Sequence, residues 1–136
     1  MPSLVFPVML WYVMLGSALG GGSRFLLGTF IQTRSGAVFP VGTLLINVTG
    51  SLLLGFIVRY SADSTAISPE ARAFLTIGFC GGYTTFSTFT YETIRLIQDG
   101  DWSRAGWYIA LSVAVSLAGA FLGMSLAHQL LELRRR

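Results

Sequence analysis

Hydrophobic and polar positions are arranged in long blocks along this chain, not in short alternations. Residues 1–23 carry no charge, and further uncharged runs cover Ser35–Val58, Ala73–Tyr91 and Ala105–Ala127. Blocks near 20 apolar residues are what a helix needs to cross a hydrocarbon core. The last run holds 23 residues, or about 34 Å of helix at roughly 1.5 Å per residue. The pattern predicts four helices in one domain spanning 1–136, over about 5–31, 40–60, 69–98 and 103–128. The apolar start reads as the first of these helices and not as a signal peptide, because it lacks a basic leading segment and exceeds the usual apolar length.

The breaks between blocks carry recognisable boundary signals. Gln32–Gly36 reads as a short polar turn, and Pro40 stands where a starting helix tolerates proline. Ser68-Pro69-Glu70 reads as a cap, a first helical residue and a first-turn acid. Asp99-Gly100-Asp101 is a turn, and Trp102, Trp107 and Tyr108 suit an aromatic belt at a membrane interface. Gly16 with Gly20, and Gly119 with Gly123, are four apart and suit close helix contact.

The third block departs from simple apolarity. Gly78 to Thr90 contains Gly81-Gly82, then hydroxyl residues at 84, 85, 87, 88 and 90 with Phe86 and Phe89 among them. Glycine pairs weaken helices, so a break near Gly81-Gly82 is expected. Irregular backbone at membrane depth is tolerated where protein or a wet cavity surrounds it, and such breaks point to ion or substrate sites. Small residues also let neighbouring helices approach, so a kinked packing helix fits the glycines and serines equally well. Two polar stripes recur at four-residue spacing: Thr43, Asn47 and Ser51 in the second helix, and Tyr108, Ser112 and Ser116 in the fourth. Asn47 either ties helices together or lines a wet path, offering amide N–H groups to an anion. Arg24 either snorkels at the interface or sits in a vestibule that attracts anions, and Glu92 is an exposed end charge or a vestibule residue.

Composition supports a membrane-embedded chain. The sequence is 53% hydrophobic and only 11% charged, with a mean hydropathy of +0.67. The single cysteine, Cys80, excludes an intrachain disulfide, and no His, Cys and acidic residues share metal-ligand spacing. His128 reads as an interface residue. The net charge of +3 comes from arginine alone and bears on topology, not on nucleic acid. Arg59, Arg72 and Arg134–Arg136 fall on one side of the predicted helices, and Arg24, Arg34, Arg95 and Arg104 on the other. So even a split hardly fixes orientation. Insertion both ways, with two opposed copies paired about an axis in the membrane plane, is one expectation; a single orientation set by the C-terminal cluster is the other. A proton-coupled exporter of cationic drugs would need a carboxylate in the first helix, yet the first acidic residue is Asp63. A membrane scaffold would explain the small residues but not two polar stripes and a phenylalanine pair. No nucleophile–base pair or paired carboxylate lies within a span, so an enzyme is not expected.

Gly81-Gly82-Tyr83-Thr84-Thr85-Phe86-Ser87-Thr88-Phe89 resembles the signature of the Fluc (CrcB) family of fluoride channels. Gly42-Thr43-Leu44-Leu45-Ile46-Asn47 looks like its second motif, and Arg24 after the glycine-rich end of the first helix matches a third. The likeness extends over the whole chain. It implies an all-α membrane protein with four transmembrane helices per subunit, the third broken mid-membrane, in an antiparallel dual-topology homodimer with two fluoride pores. It implies a multi-pass location in the bacterial cytoplasmic (inner) membrane and passive fluoride export. By similarity, Phe86 and Phe89 contact fluoride, Asn47 is the amide donor, and Thr43, Ser112 and Ser116, with Tyr108 toward one end, form the polar wall. Ser87, Thr88 and Thr90 resemble the hydroxyl track beside the phenylalanines. The resemblance also implies a structural sodium ion at the dimer centre, held by backbone carbonyls of Gly81 and Thr84 from both subunits. Tyr83 stands where the signature more usually carries an aliphatic residue.

Overall fold

The computed structural model describes residues 5–64 and 66–135. The chain is helical, with α1 at Val5–Ser35, α2 at Val41–Asp63 and α3 at Pro69–Ala73. A π-helical stretch, Phe74–Cys80, leads into α4 at Gly81–Tyr83; α5 at Phe86–Gln98 and α6 at Trp102–Arg135 complete the chain. Among the described residues, two helices, α2 and α6, are long and apolar enough to cross a membrane.

The helix ends follow from local chemistry. α1 runs through the expected polar turn, because Gln32 keeps helical geometry while its side chain secures the corner. Its amide donates to the carbonyls of Ala37 at 2.7 Å and Phe39 at 3.2 Å, and its oxygen accepts from the Gly42 amide at 3.0 Å. Gly36, at φ +59°, ends α1 in the left-handed region that favours glycine. The Ser68 hydroxyl caps α3 by accepting from the Ala71 amide at 3.2 Å, with Pro69 as first helical residue. Asp101 begins α6: one carboxylate oxygen accepts from the Arg104 amide at 3.2 Å, and the other pairs with its guanidinium at 2.6 Å. The 34 residues of α6 exceed the expected span because no breaker follows Ala127 and propensity continues into Arg134 and Arg135.

The predicted interruption near Gly81-Gly82 lies a little further on. Both glycines are helical, whereas Thr84 (φ −82°, ψ 160°) and Thr85 (φ −153°, ψ 118°) are extended. Packing explains the shift. A Cβ on Gly82 would fall 2.6 Å from the Ser17 carbonyl oxygen and 2.9 Å from the Ser17 Cα, so this glycine serves close approach to α1 and not chain reversal. Gly16 and Gly78 meet in the same crossing, Cβ against backbone at 2.9 Å.

α2 and α6 form the most extensive helix pair. The expected Gly119–Gly123 face meets α2, with both glycines buried. A Cβ on Gly123 would overlap the Leu52 carbonyl oxygen and approach the Phe56 amide nitrogen to 2.8 Å. Ile46, Cys80 and Tyr108 are the largest fully buried side chains, and Tyr108 centres a cluster with Leu96, Ala105, Phe39 and Phe89. Outward faces of α1 and α6 carry Phe6, Trp11, Phe25, Trp107, Phe121 and many leucines, which suits a lipid or protein surround and not water.

Gly123→Val should force the α2–α6 crossing apart and lower stability by about 1–3 kcal/mol. Gly106, with open space at its Cβ position, is the control; Gly106→Ala should be neutral or slightly stabilising. Thermal unfolding in detergent measures both.

Candidate functional site

The site is built around the two extended residues between α4 and α5. In an uninterrupted helix the Thr85 amide would bond to the Gly81 carbonyl, and the Thr88 amide to the Thr84 carbonyl. Both donors are instead taken by side chains. Asn47 Oδ1 accepts from the Thr85 amide at 2.8 Å, while Asn47 Nδ2 donates to the Thr85 carbonyl at 3.0 Å. The Thr85 hydroxyl caps α5 by accepting from the Thr88 amide at 3.2 Å. The carbonyls of Gly81 and Thr84 therefore lose the donors a continuous helix would give them, as do those of Gly82 and Tyr83 ahead of the first turn of α5. The Thr84 side chain bonds back to the Cys80 carbonyl at 2.9 Å, beside its own amide at 3.0 Å, and closes the end of α4.

Asn47 thus performs the first of the two roles its position allowed: it joins α2 to the interrupted strand of backbone. One N–H of its amide is left for another acceptor, since a carboxamide carries two donors. It opens onto a cavity of about 270 Å³ lined by Asn47, Ser51, Leu54, Thr84, Thr85, Phe86, Phe89, Ser112, Val113 and Ser116. None of these side chains is ionisable. Ser112 and Ser116 belong to this lining, and among the described residues their buried hydroxyls have no hydrogen-bond partner, which leaves donor capacity unused. Phe86 and Phe89 lie 5.5 Å apart between ring centres, with their planes at 46°. Phe89 in turn packs on Tyr108 at 5.2 Å, which fixes it, whereas Phe86 is 78% exposed and projects from the chain.

A second cavity of about 320 Å³ contains Arg24, Gln32, Thr43, Thr85, Thr88 and Glu92 among its lining residues. Thr85 separates the two spaces and belongs to both. The half-buried Glu92 carboxylate accepts from the Thr43 hydroxyl at 2.9 Å and from the Tyr108 hydroxyl at 2.7 Å. Thr43 and Tyr108, foreseen as members of one polar wall with Ser112 and Ser116, are thus held on the carboxylate. The stripe spacing identified their face but not this partner. Among the described residues the buried Arg24 Nε, in the same lining, has no hydrogen-bond partner.

The remaining residues of the expected hydroxyl track spread out. Thr88 lines the second cavity and accepts from the Thr85 hydroxyl at 3.0 Å. Ser87 is exposed, 3.4 Å from the same hydroxyl, and Thr90, also exposed, donates to the Phe86 carbonyl at 2.9 Å. Sequence reasoning passed over Thr85 as a site-forming residue. Its position one residue before a new helical run, with a threonine three residues later, is the legible signal of a cap.

These features define a helical membrane protein with an uncharged, hydroxyl-lined cavity at an interrupted helix. A family model described as CrcB-like protein, Camphor Resistance (CrcB), matches residues 11–124. The chain is 46% identical over 116 residues to a protein of Methylocella silvestris, covering 84% of this chain and 88% of that one. It is 46% identical over 119 residues to one from Syntrophotalea carbinolica, covering 88% and 97%, and 44% identical over 113 residues to one from Geobacter sulfurreducens, covering 83% and 91%. Each relative is named a fluoride-specific ion channel, FluC. The chain belongs to the CrcB family, and with its apolar helices it is an integral membrane protein.

Asn47→Ala leaves the Thr85 N–H and C=O without their side-chain partners. The expected loss is about 2 kcal/mol or more of stability, from the typical cost of unsatisfied buried groups. Asn47→Asp, which keeps the acceptor but not the amide donor, should fall between. Denaturant or thermal unfolding of detergent-solubilised protein checks the order.

Proposed function

We propose that this chain is a fluoride-selective ion channel that lets the anion leave the cytoplasm passively and so limits its toxicity. The observation that carries the reading is the uncharged cavity whose lining brings Ser112 and Ser116, with hydroxyls unpartnered among the described residues, together with the Phe86–Phe89 pair. The printed names of relatives sharing over 40% of aligned residues support it. Their channel names also set the chain apart from enzymes.

The chemistry follows from these groups. A small anion leaving water needs donors that replace its hydration shell, and the serine hydroxyls and the second Asn47 N–H can supply them. Aromatic rings carry positive potential at their edges, so edge-on phenylalanines favour an anion without a fixed charge that would trap it. Arg24 raises the local anion concentration in the second cavity, while Thr43, Tyr108 and Glu92 bound the path at that end. Thr88, with Ser87 and Thr90 on the adjoining face, extends the hydroxyl surface. Fluoride that enters as its neutral acid from an acidic exterior ionises inside, and membrane voltage then drives it out without ATP or proton coupling.

The working unit is an antiparallel, dual-topology homodimer in the bacterial inner membrane, with the helix interruption at membrane depth. The near-even arginine distribution supports both orientations, and the exposed Phe86 ring supports a pore wall shared with a partner. Two subunits would also present donor-free carbonyls, among them those of Gly81 and Thr84, to one structural sodium ion. The diverted Thr85 and Thr88 amides support this assignment, because orphaned carbonyls are hard oxygen ligands that a small cation satisfies. The ion would supply positive charge and cross-link the backbones at the centre.

Fluoride efflux from liposomes containing the purified protein, with a potassium ionophore to dissipate voltage, tests the reading. Rapid fluoride release with little chloride release is expected, and Phe86→Ile or Phe89→Ile should slow it at least about tenfold, a loss of roughly 1.4 kcal/mol in the barrier. Absence of fluoride release from well-folded dimer would sink it.

A further inference from the structure

The partners of the arginine side chains set two of them apart. Arg59, Arg104 and Arg135 pair with Asp63, Asp101 and Glu132. Arg34 and Arg134 lie over the rings of Phe30 and Tyr60, and Arg95 donates to the Tyr91 hydroxyl at 3.4 Å. Among the described residues, the guanidinium groups of Arg24 and Arg72 have no acid, ring or hydrogen-bond acceptor, and each lines a cavity. The cavity of Arg24 belongs to the candidate site. That of Arg72 is separate and larger, at about 590 Å³ against about 320 Å³.

Met9 stands near the start of α1 and Ser61 near the end of α2, so the Arg72 cavity sits at the opposite end of these helices from Arg24 and Thr43. Arg72 is the last charge before the uncharged run Ala73–Tyr91, and Ser61 follows closely on the run that ends at Val58. Both therefore lie where apolar helix gives way to the headgroup layer. Further into the run, Ile77, 64% exposed, continues the lining together with Met9. No acidic side chain belongs to this lining. Its two hydroxyls spend their protons on backbone: Ser61 donates to the Val58 carbonyl at 3.2 Å and Thr76 to the Arg72 carbonyl at 2.8 Å. What they leave for a ligand is lone pairs. The cavity thus combines one unpaired guanidinium, two hydroxyl acceptors and an apolar wall.

We propose that this cavity holds an anionic phospholipid whose headgroup carries hydroxyl groups, as that of phosphatidylglycerol does. The phosphate diester takes the Arg72 guanidinium, which has no internal counter-charge to give up. The glycerol hydroxyls donate to Ser61 Oγ and Thr76 Oγ1, and an acyl chain lies along Ile77 and Met9. A bare small anion fits poorly, because apart from Arg72 the described lining has no free side-chain donor to replace its hydration shell.

Thermal unfolding of the full-length protein in detergent, titrated with single phospholipids, tests the site. Phosphatidylglycerol is compared with phosphatidylethanol (the same diester charge without hydroxyls), phosphatidylethanolamine and water-soluble glycerol phosphate. Phosphatidylglycerol should reach half its effect at a fraction at least about threefold below that for phosphatidylethanol, the reach of a weak net hydrogen bond. Phosphatidylethanolamine and glycerol phosphate should do little. Arg72→Gln should raise the phosphatidylglycerol midpoint about tenfold or more, as loss of a charge-assisted hydrogen bond implies. Arg135→Gln, the same charge change outside the cavity, should not move it. Ser61→Ala should erase the preference over phosphatidylethanol without moving the phosphatidylethanol midpoint, a split that general loss of stability does not produce. Should Arg72→Gln fail to fold, the lipid comparison on the parent and on Ser61→Ala still decides. A comparison lipid that equals phosphatidylglycerol, or equal shifts in Arg72→Gln and Arg135→Gln, overturns the proposal. So does glycerol phosphate that matches the lipid with the same dependence on Arg72, which assigns a soluble phosphate. An oligomer lost in Arg72→Gln with an unmoved lipid midpoint assigns the face to a second copy and also overturns it.

Discussion

The exchange of backbone ladder bonds for side-chain bonds at Thr84–Thr85 is the constraint on which this structure depends. A helix that stops and restarts inside an apolar surround leaves donors and acceptors that lipid cannot satisfy. Here the Asn47 carboxamide takes both polar groups of Thr85, and the Thr85 hydroxyl takes the Thr88 amide in the first turn of α5. The substitution is partial, and carbonyls ahead of the interruption, those of Gly81 and Thr84 among them, lose their ladder donors. On one side the interruption therefore presents carbonyl oxygens without their ladder donors. On the other side, the restarting helix turns Phe86 and Phe89 toward the hydroxyls of α6.

Much of this was legible from the residues. The charge-free blocks located the helices, Ser68-Pro69-Glu70 marked a start that the Ser68 cap reproduces, and Gly119 with Gly123 marked a face that α2 covers. The four-residue stripes placed Asn47 beside Ser51, and Ser112 beside Ser116, and these now share one cavity. Sequence spacing failed where the partner lay far along the chain. Thr43 and Glu92 are 49 residues apart, and nothing local indicates that the carboxylate would gather Thr43 and Tyr108. It failed also at Gly81-Gly82, where low helix propensity suggested a break. Backbone contact with α1 holds the second glycine helical, and the interruption falls where Asn47 can replace the lost bonds. Propensity is a weak local prior, and tertiary contact overrides it.

The two cavities divide the chemistry. The one near Arg24 and Glu92 contains formal charge of both signs, whereas the one at Phe86 and Ser112 contains none. Charge concentrates ions but also retains them; neutral donors hold weakly and release. Thr85, common to both linings, stands where one regime gives way to the other.

The crossing of α1 with the π-helical stretch has a consequence for motion. Gly16 and Gly78 meet with backbone against backbone, and Gly82 lies against Ser17 in the same way. Helices that slide past one another do so on a cushion of side chains that can change rotamer, and at these glycines the backbones meet without one. A path beside such a joint is bounded by a contact that resists sliding, so the side chains of its lining have a steady frame from which to discriminate among ions.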